Sequence, residues 1–179
     1  MTSHRIAIIY GTTEGQTRKI AEHIAQTLRH HDDRVELLLG SELDPEFDPT
    51  AYDGIIVGAS IHEGKHQRYV RGLAKKHAPV LNEMPSAFFS VSLSAAADET
   101  LTEAANAIES FLSQSGWKAS QSEAFAGALK YTQYSWLKRF VMKKISASQG
   151  GETDTTHDYE YTDWDQVTRF AETFHERLE

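Results

Sequence analysis

Several features are missing from this 179-residue sequence, and each absence narrows its function. It contains no cysteine, which excludes disulfides, thiolate metal sites and cysteine-based catalysis. No apolar run approaches the roughly 20 residues that a membrane-spanning helix needs, and the short apolar stretch near the start does not form a signal peptide. A net charge of −8 argues against general nucleic-acid binding. We therefore expect a protein that is cytosolic or rests on the inner face of a membrane.

What is present fits one globular unit. Hydrophobic residues make up 40% of the chain and charged residues 25%, which are ordinary values for a globular protein. Dividing this length in two would leave each half close to the lower limit of independent stability. We therefore predict a single domain over residues 1–179.

Two familiar phosphate-binding loops are also missing. No lysine lies between Arg5 and Arg18, so the P-loop of nucleoside triphosphatases is absent, and the dinucleotide fingerprint lacks its third glycine. Instead, an apolar run from Ile6 to Tyr10 leads through Gly11 and small polar residues into an amphipathic helix. The free N–H groups of that helix's first turn and the positive end of its dipole favour an anion. The loop is therefore predicted to bind a phosphate.

The pattern Thr12-x-x-Gly15-x-Thr17 resembles the loop in which flavodoxins hold the phosphate of FMN, and the resemblance implies FMN as the cofactor. Flavodoxins usually carry threonine where this chain has Glu14. A carboxylate is repelled by a phosphate, so we expect the Glu14 side chain to point to solvent while its backbone amide binds. The alternative is a capped helix start without a ligand. The predicted phosphate residues are Thr12, Thr13, Glu14, Gly15, Gln16 and Thr17.

Strand and helix patterns alternate along the chain. Further strands are predicted at residues 35–39, 52–58, 86–93 and 122–129, with helices at about 66–81 and 100–115 and a last helix from Thr162. This alternation predicts an α/β fold with a parallel sheet and right-handed crossovers. Five strands fit a flavodoxin-like three-layer sandwich of strand order 2-1-3-4-5, whose ligands bind beyond the carboxyl ends of the strands.

Three loops should meet at that edge of the sheet, at residues 11–17, 58–64 and 92–97. The second and third are predicted to offer backbone amides and carbonyls to the flavin ring. Small residues at these positions also permit tight turns, and the two interpretations are compatible. The predicted ring contacts are Ala59, Ser60, Ile61, Ser92, Leu93 and Ser94.

A series of short motifs extends the resemblance beyond the fold. They are Thr12-x-Glu-Gly-Gln-Thr17, Gly58-Ala-Ser-Ile61, Met84-Pro-Ser-Ala-Phe88, Ala126-Gly-Ala-Leu129, Gly150-Gly-Glu-Thr-Asp-Thr155 and Tyr161-Thr-Asp-Trp164. In order and spacing they resemble the menaquinone-dependent protoporphyrinogen IX dehydrogenases of bacterial haem synthesis. The resemblance implies a flavoprotein oxidoreductase of porphyrin biosynthesis. It would remove six hydrogens from protoporphyrinogen IX and pass the electrons to menaquinone or ubiquinone.

Two histidines flank the second loop. His62 and His66 are candidates to accept protons that the porphyrinogen releases, because histidine is suited to this task near neutral pH. We expect at least one of them to be a surface residue. No histidine spacing indicates a metal ligand set, so no metal site is predicted.

An insertion of about 30 residues, near 130–155, precedes the last helix, where roughly 2–6 residues would suffice. Residues 130–149 hold five of the 18 basic residues and none of the 26 acidic ones, interleaved with aromatic residues. Three roles fit: contact with the porphyrinogen and its propionates, contact with the lipid interface, and ordinary packing. The length favours the first two. Predicted contacts with substrate or membrane are Tyr131, Trp136, Lys138, Arg139, Phe140, Lys143 and Lys144, and Gly150 and Gly151 should return the insertion to the cofactor.

Two other functions stay open. A flavodoxin-type electron carrier would use an acidic docking face, which the remaining 13 basic and 26 acidic residues can supply, but the basic aromatic insertion argues against it. An FMN-dependent quinone reductase with a nicotinamide donor needs no separate dinucleotide fingerprint. For the dehydrogenase, the resemblance implies a cytoplasmic protein peripherally associated with the cytoplasmic face of the inner membrane.

Overall fold

The fold is given by a computed structural model, which describes residues 2–130 and 158–179. Its strands are β1 (Arg5–Tyr10), β2 (Arg34–Leu39), β3 (Gly54–His62), β4 (Lys65–His66), β5 (Ser86–Ser92), β6 (Gln121–Ala126), β7 (Ala128–Lys130) and β8 (Asp158–Glu160). Its α-helices are α1 (Gln16–Arg29), α2 (Arg68–Leu81), α3 (Leu101–Ser115) and α4 (Trp164–Glu176). Nine predicted site residues lie outside the described residues: Tyr131, Trp136, Lys138, Arg139, Phe140, Lys143, Lys144, Gly150 and Gly151.

The central sheet has the order β2-β1-β3-β5-β6, with every neighbouring pair parallel. This confirms the predicted flavodoxin-like order, with β5 and β6 as the fourth and fifth predicted strands. The short strand β4 is an addition to it and pairs antiparallel with β3. Parallel strands covered on both faces are apolar on both faces, and β1 is buried from Ile6 to Tyr10.

Two apolar layers cover the sheet. Successive residues of a strand point to opposite faces, so Ile8 packs with residues of α1 and α4 while Ile9 packs with residues of α2 and α3. In the second layer the rings of Phe88 and Phe111 stack with their centroids 4.2 Å apart. These layers give the three-layer sandwich and hold the strand ends in fixed positions.

Two strand ends differ from the prediction. The strand expected to end at Gly58 continues to His62, because β4 pairs with it across a two-residue turn. That turn consists of Glu63 at φ 51° and Gly64 at φ 80°, as a type I′ hairpin turn requires. The strand expected at 122–129 instead breaks at Gly127, after which β7 pairs with β8 in a separate antiparallel sheet.

Helix ends follow local capping chemistry. The last helix begins at Trp164 rather than Thr162, because the Asp163 carboxylate accepts the backbone N–H groups of Asp165 and Gln166. Gly116 ends α3 in the left-handed conformation, at φ 72°. Within residues 2–130 and 158–179, no helix combines the length and the apolar character that crossing a bilayer demands.

Candidate functional site

The carboxyl ends of the parallel strands bring the predicted loops together. The Gly11 N–H donates to the Gly58 carbonyl at 2.9 Å, which ties the first loop to β3. On the other side of β3, Ser60 pairs with Val91 near the end of β5. The loops that follow β1, β3 and β5 therefore share one edge of the sheet, as predicted.

The first loop is shaped to receive an anion. Gly15 adopts φ 93° and its N–H donates to Thr12 Oγ1 at 2.8 Å, while no side chain caps the start of α1. Thr17 is 1% exposed, and its hydroxyl has no hydrogen-bond partner among the residues described. A buried hydroxyl without a partner costs free energy, and a phosphate oxygen at the N-terminus of α1 would satisfy it. The loop therefore fits the phosphate of a flavin nucleotide.

The Glu14 side chain does not point to solvent, contrary to the prediction. It is 21% exposed, and its Oε1 lies 3.5 Å from Nδ1 of His62. The cause is the hairpin of β3 and β4, which carries His62 back toward the first loop. The structure thus pairs a carboxylate of the predicted phosphate loop with one of the two histidines proposed to accept protons.

Sequence reasoning missed Gln67, which joins two of the loops. Its Oε1 accepts the backbone N–H of Ser60 at 3.1 Å, and its Nε2 donates to Ser60 Oγ and to Thr13 Oγ1. The Ser60 amide was predicted to contact the flavin ring, but it is already occupied by Gln67. The carbonyl and the hydroxyl of Ser60 are the groups left for that contact.

The third loop begins at a buried serine. Ser92, the last residue of β5, is 6% exposed, and within the described part of the chain its hydroxyl has no hydrogen-bond partner. Leu93 to Ala96 follow as a short 3₁₀ helix, and Thr100 Oγ1 donates to the Ser94 carbonyl at 2.6 Å. The Ser92 hydroxyl is thus available to a ligand, while the far end of the loop is held by Thr100.

The two histidines differ in environment. His66 is 7% exposed, and its Nε2 lies 2.8 Å from Ser90 Oγ. Burial, together with the charge of Arg71, lowers the pKa of His66 to about 4. Such a histidine stays neutral near pH 7 and is a weak base. His62, whose side chain is 26% exposed, is the better placed of the two to exchange protons with water.

The residues that flank the insertion lie beside this site. The Gly127 N–H donates to the Ser92 carbonyl at 3.0 Å, and β7 then pairs with β8, so that Ala128 lies opposite Glu160. The Gly127 carbonyl accepts the Tyr161 N–H at 3.0 Å. The described residues on either side of the insertion are therefore held together, and Gly127 ties them to the third loop.

Glu160, at the end of β8, ties that strand to helix α1. Its carboxylate accepts Nε2 of Gln16 at 3.1 Å and Nε1 of Trp164 at 3.0 Å, and it lies 3.6 Å from Nζ of Lys19. Burial raises the pKa of Glu160, but these hydrogen bonds and the lysine charge outweigh it, so the pKa lies below its usual range. The first turn of α1 thus contacts the base of the insertion directly.

Comparison with known proteins agrees with this geometry. A family model described as a flavodoxin domain matches residues 7–156. Protoporphyrinogen IX dehydrogenase [quinone] of Escherichia coli (strain K12) is 39% identical over 166 residues, which cover 92% of this chain and 91% of that protein. The protein of the same name from Leishmania major is 36% identical over 177 residues, covering 96% and 75%. These matches confirm the resemblance predicted from the motifs.

Solved structures support the same fold. The crystal structure of oxidised flavodoxin 2 from Bacillus cereus superposes with a TM-score of 0.62 at 21% identity. The superposition covers 97% of this chain and 99% of that one. At such low identity the likeness establishes the flavodoxin-like architecture and nothing finer.

Proposed function

The chain belongs to the flavodoxin-domain family and, within it, to the protoporphyrinogen IX dehydrogenases [quinone], and on this premise we propose that it oxidises protoporphyrinogen IX with FMN as its flavin and a quinone as electron acceptor. The substrate loses six hydrogens, and three quinone molecules, each taking two electrons and two protons, balance the reaction. Menaquinone and ubiquinone both meet this requirement. The product is protoporphyrin IX, the porphyrin of haem biosynthesis.

One observation carries the choice of FMN. No side chain caps the N-terminus of α1. Among the described residues 11–17, Thr17 has the one buried hydroxyl without a hydrogen-bond partner, and this arrangement suits one terminal phosphate. The sequence has no dinucleotide fingerprint to hold a second phosphate. Bound there, FMN would supply the two-electron redox chemistry, and the protein's part is to position the flavin and tune its surroundings.

We assign roles to the loops accordingly. The phosphate residues are Thr12, Thr13, Glu14, Gly15, Gln16 and Thr17, with Glu14 and Gln16 contributing their backbone N–H groups. The ring contacts are Ala59, Ser60, Ile61, Ser92, Leu93 and Ser94. The buried Ser92 hydroxyl is the ring-side group whose hydrogen-bonding capacity is unused in the described structure.

The protons that the porphyrinogen releases need an acceptor near the flavin. We assign their first acceptor to His62, since imidazole exchanges protons readily near neutral pH and this side chain is one-quarter exposed. The Glu14 carboxylate lies 3.5 Å from Nδ1 of His62, on the same side as the first loop. His66 is not assigned this task, because burial lowers its pKa and keeps it neutral.

The insertion is proposed to bring substrate and quinone to the flavin. The strands β7 and β8 on either side of it pair with each other, and Gly127, just before β7, contacts Ser92 among the predicted ring contacts. Its basic residues Lys138, Arg139, Lys143 and Lys144 suit the propionates of a porphyrinogen or the anionic headgroups of a membrane. A quinone dissolved in the lipid would then be reached by peripheral contact with the cytoplasmic face of the inner membrane.

The test is anaerobic. The purified protein should show a yellow flavin spectrum that bleaches on addition of protoporphyrinogen IX and returns on addition of a menaquinone analogue. A flavin that stays oxidised with protoporphyrinogen but is reduced by a flavodoxin reductase would overturn the proposal and make the protein an electron carrier. Reduction by NADH followed by reoxidation with quinone would indicate a quinone reductase instead.

A further inference from the structure

We infer that Gln67 is a positioning residue that turns the hydroxyls of Thr13 and Ser60 toward the flavin. The inference rests on the proposed function, because FMN is the group toward which the two hydroxyls are turned. Gln67 lies just before α2, where the Arg71 N–H donates to its backbone carbonyl at 3.1 Å. The backbone from which the Gln67 side chain projects is therefore fixed by the start of that helix.

The need for Gln67 comes from a mismatch in strand length. The last pair between β1 and β3 is Tyr10 with Gly58, and the Gly58 carbonyl accepts the N–H of Gly11. Alternate residues of a strand direct their N–H and C=O to the same side, so Ser60 faces the side where β1 has already ended. The Ser60 N–H would lack a ladder partner there, and the Gln67 Oε1 at 3.1 Å supplies one.

This contact sets the orientation of the side-chain amide. The backbone N–H of Ser60 is only a donor, so the oxygen of Gln67 must face it and the NH₂ group must face the other way. That NH₂ group donates one hydrogen to Ser60 Oγ and the other to Thr13 Oγ1, at 3.2 Å for Thr13. Each hydroxyl therefore accepts from Gln67 and keeps its own hydrogen for a further acceptor.

The two hydroxyls lie on the two loops that are to hold opposite ends of the cofactor. Thr13 lies in the phosphate loop, and Ser60 lies on β3 among the proposed ring contacts. Space for the link is made by Gly11, because a Cβ there would approach Oε1 of Gln67 to 3.1 Å and Cγ2 of Val70 to 2.5 Å. Gln67 thus holds the two loops in one relative position, with the hydroxyls of Thr13 and Ser60 able to donate to FMN.

The variant Gln67→Glu tests whether Gln67 must donate hydrogen bonds to the two hydroxyls. It has the same shape, and its carboxylate can still accept the Ser60 N–H, but it has no hydrogen to donate. The hydroxyls of Thr13 and Ser60 would then donate to the carboxylate and no longer to the flavin. We expect the affinity of the apo-protein for FMN, measured by quenching of FMN fluorescence, to fall by about tenfold.

A mutant cycle separates this mechanism from simple charge repulsion. In a Thr13→Val, Ser60→Ala background, Gln67→Glu should weaken FMN binding by no more than about twofold, because neither hydroxyl remains to be turned. A loss of the same size in both backgrounds would mean that the new carboxylate repels the phosphate, and it would overturn the inference. Riboflavin, which lacks the phosphate, should still bind the Gln67→Glu single variant more weakly than it binds the wild type.

Controls separate the remaining outcomes. Gln114→Glu is the matched control, because Gln114 also donates to a serine hydroxyl, that of Ser110, but on the exposed face of α3. It should leave FMN affinity unchanged.

The variant Gln67→Leu removes the link without adding charge, and it should also weaken FMN binding. Urea midpoints of the apo-proteins show whether each variant folds. A wild type that does not bind FMN overturns the proposed function as well, whereas a Gln67→Glu variant that binds FMN like the wild type overturns this inference alone.

Discussion

Oδ2 of Asp33 lies 2.7 Å from Nδ1 of His175, a contact that joins the start of β2 to the end of α4. The other carboxylate oxygen of Asp33 accepts the backbone N–H of His4 at 3.0 Å and lies 3.1 Å from its Nδ1. The Asp33 side chain is fully buried. The ligand-type atoms of these three residues lie within 4.8 Å of one another, but the carboxylate is already satisfied by both histidines, so we assign the cluster a structural role.

Replacing the Asp33 carboxylate should destabilise the fold. Asp33→Asn should lower the free energy of unfolding by about 3 kcal/mol, because an NH₂ group takes the place of one of two buried oxygens that contact His4 and His175. Urea denaturation measures this value. The matched control is Asp32→Asn at the exposed neighbouring position, which has φ 66°, a conformation that asparagine also tolerates. Equal losses in the two variants would show that the buried cluster contributes nothing specific.

Gly58 should not tolerate a side chain. A Cβ at this position would run into the ring of Phe89, so Gly58→Ala should lower the free energy of unfolding by about 2–3 kcal/mol. Gly72→Ala makes the same chemical change inside α2, where a Cβ would meet no atom within 4 Å. It should raise the free energy of unfolding by about 0.5–1 kcal/mol, because alanine favours a helix. Opposite signs in thermal melts would support this account, and a stable Gly58→Ala protein would contradict it.

The stability of the fold should fall as the pH drops from about 6.5 to about 4. The pKa of His66 is lowered from 6.5 to about 4 in the folded chain, so over this range the unfolded chain binds a proton that the folded chain does not. The predicted contribution is a loss of about 3 kcal/mol, which is complete only below pH 4, where His66 is protonated in both states. His66→Gln should flatten this part of the curve of unfolding free energy against pH. His30→Gln, at an exposed position, should leave the curve unchanged, and an equally steep curve for His66→Gln would refute the assignment.

The charges of the insertion should affect substrate or membrane contact and leave the cofactor bound. Replacing Lys138, Arg139, Lys143 and Lys144 with glutamine should weaken association with anionic liposomes or raise the KM for protoporphyrinogen, while the FMN content of the protein stays the same. Vesicle co-sedimentation and steady-state kinetics measure the two effects.

The control for this variant makes the same change in charge at exposed positions of the described chain. It replaces Arg34, Lys75, Lys118 and Arg169 with glutamine. If both multiple variants behave alike, the effect comes from net charge alone. If the insertion variant matches the wild type in both measurements, the insertion contacts neither substrate nor membrane through these residues.

How much of the site can be predicted depends on how local its causes are. The predicted phosphate loop can be found in the sequence because a strand, a glycine and a helix start follow one another within a dozen residues. The orientation of Glu14 is not, because it depends on a hairpin that carries His62 back to the loop from a distant part of the chain. The same holds for Gln67, since a glutamine before a helix has no distinctive pattern until β3 is seen to extend beyond β1.

The ends of the strands could not be predicted from the sequence either. Apolar patterning predicts where a strand lies, but its end is set by whatever pairs with it, and β4 and β8 are too short to show a pattern. The cluster of His4, Asp33 and His175 is the extreme case. Its members are drawn from the beginning, the first fifth and the end of the chain, and only the fold brings them together.

The pairing of Ala128 with Glu160 holds the two ends of residues 131–157 side by side. Lengthening a loop whose ends are already fixed adds little entropic cost. Residues between these ends can therefore be gained, lost or exchanged between relatives with little strain on the parallel sheet or on the loops after β1 and β3. Natural selection can alter what this protein recognises while the redox core is inherited unchanged.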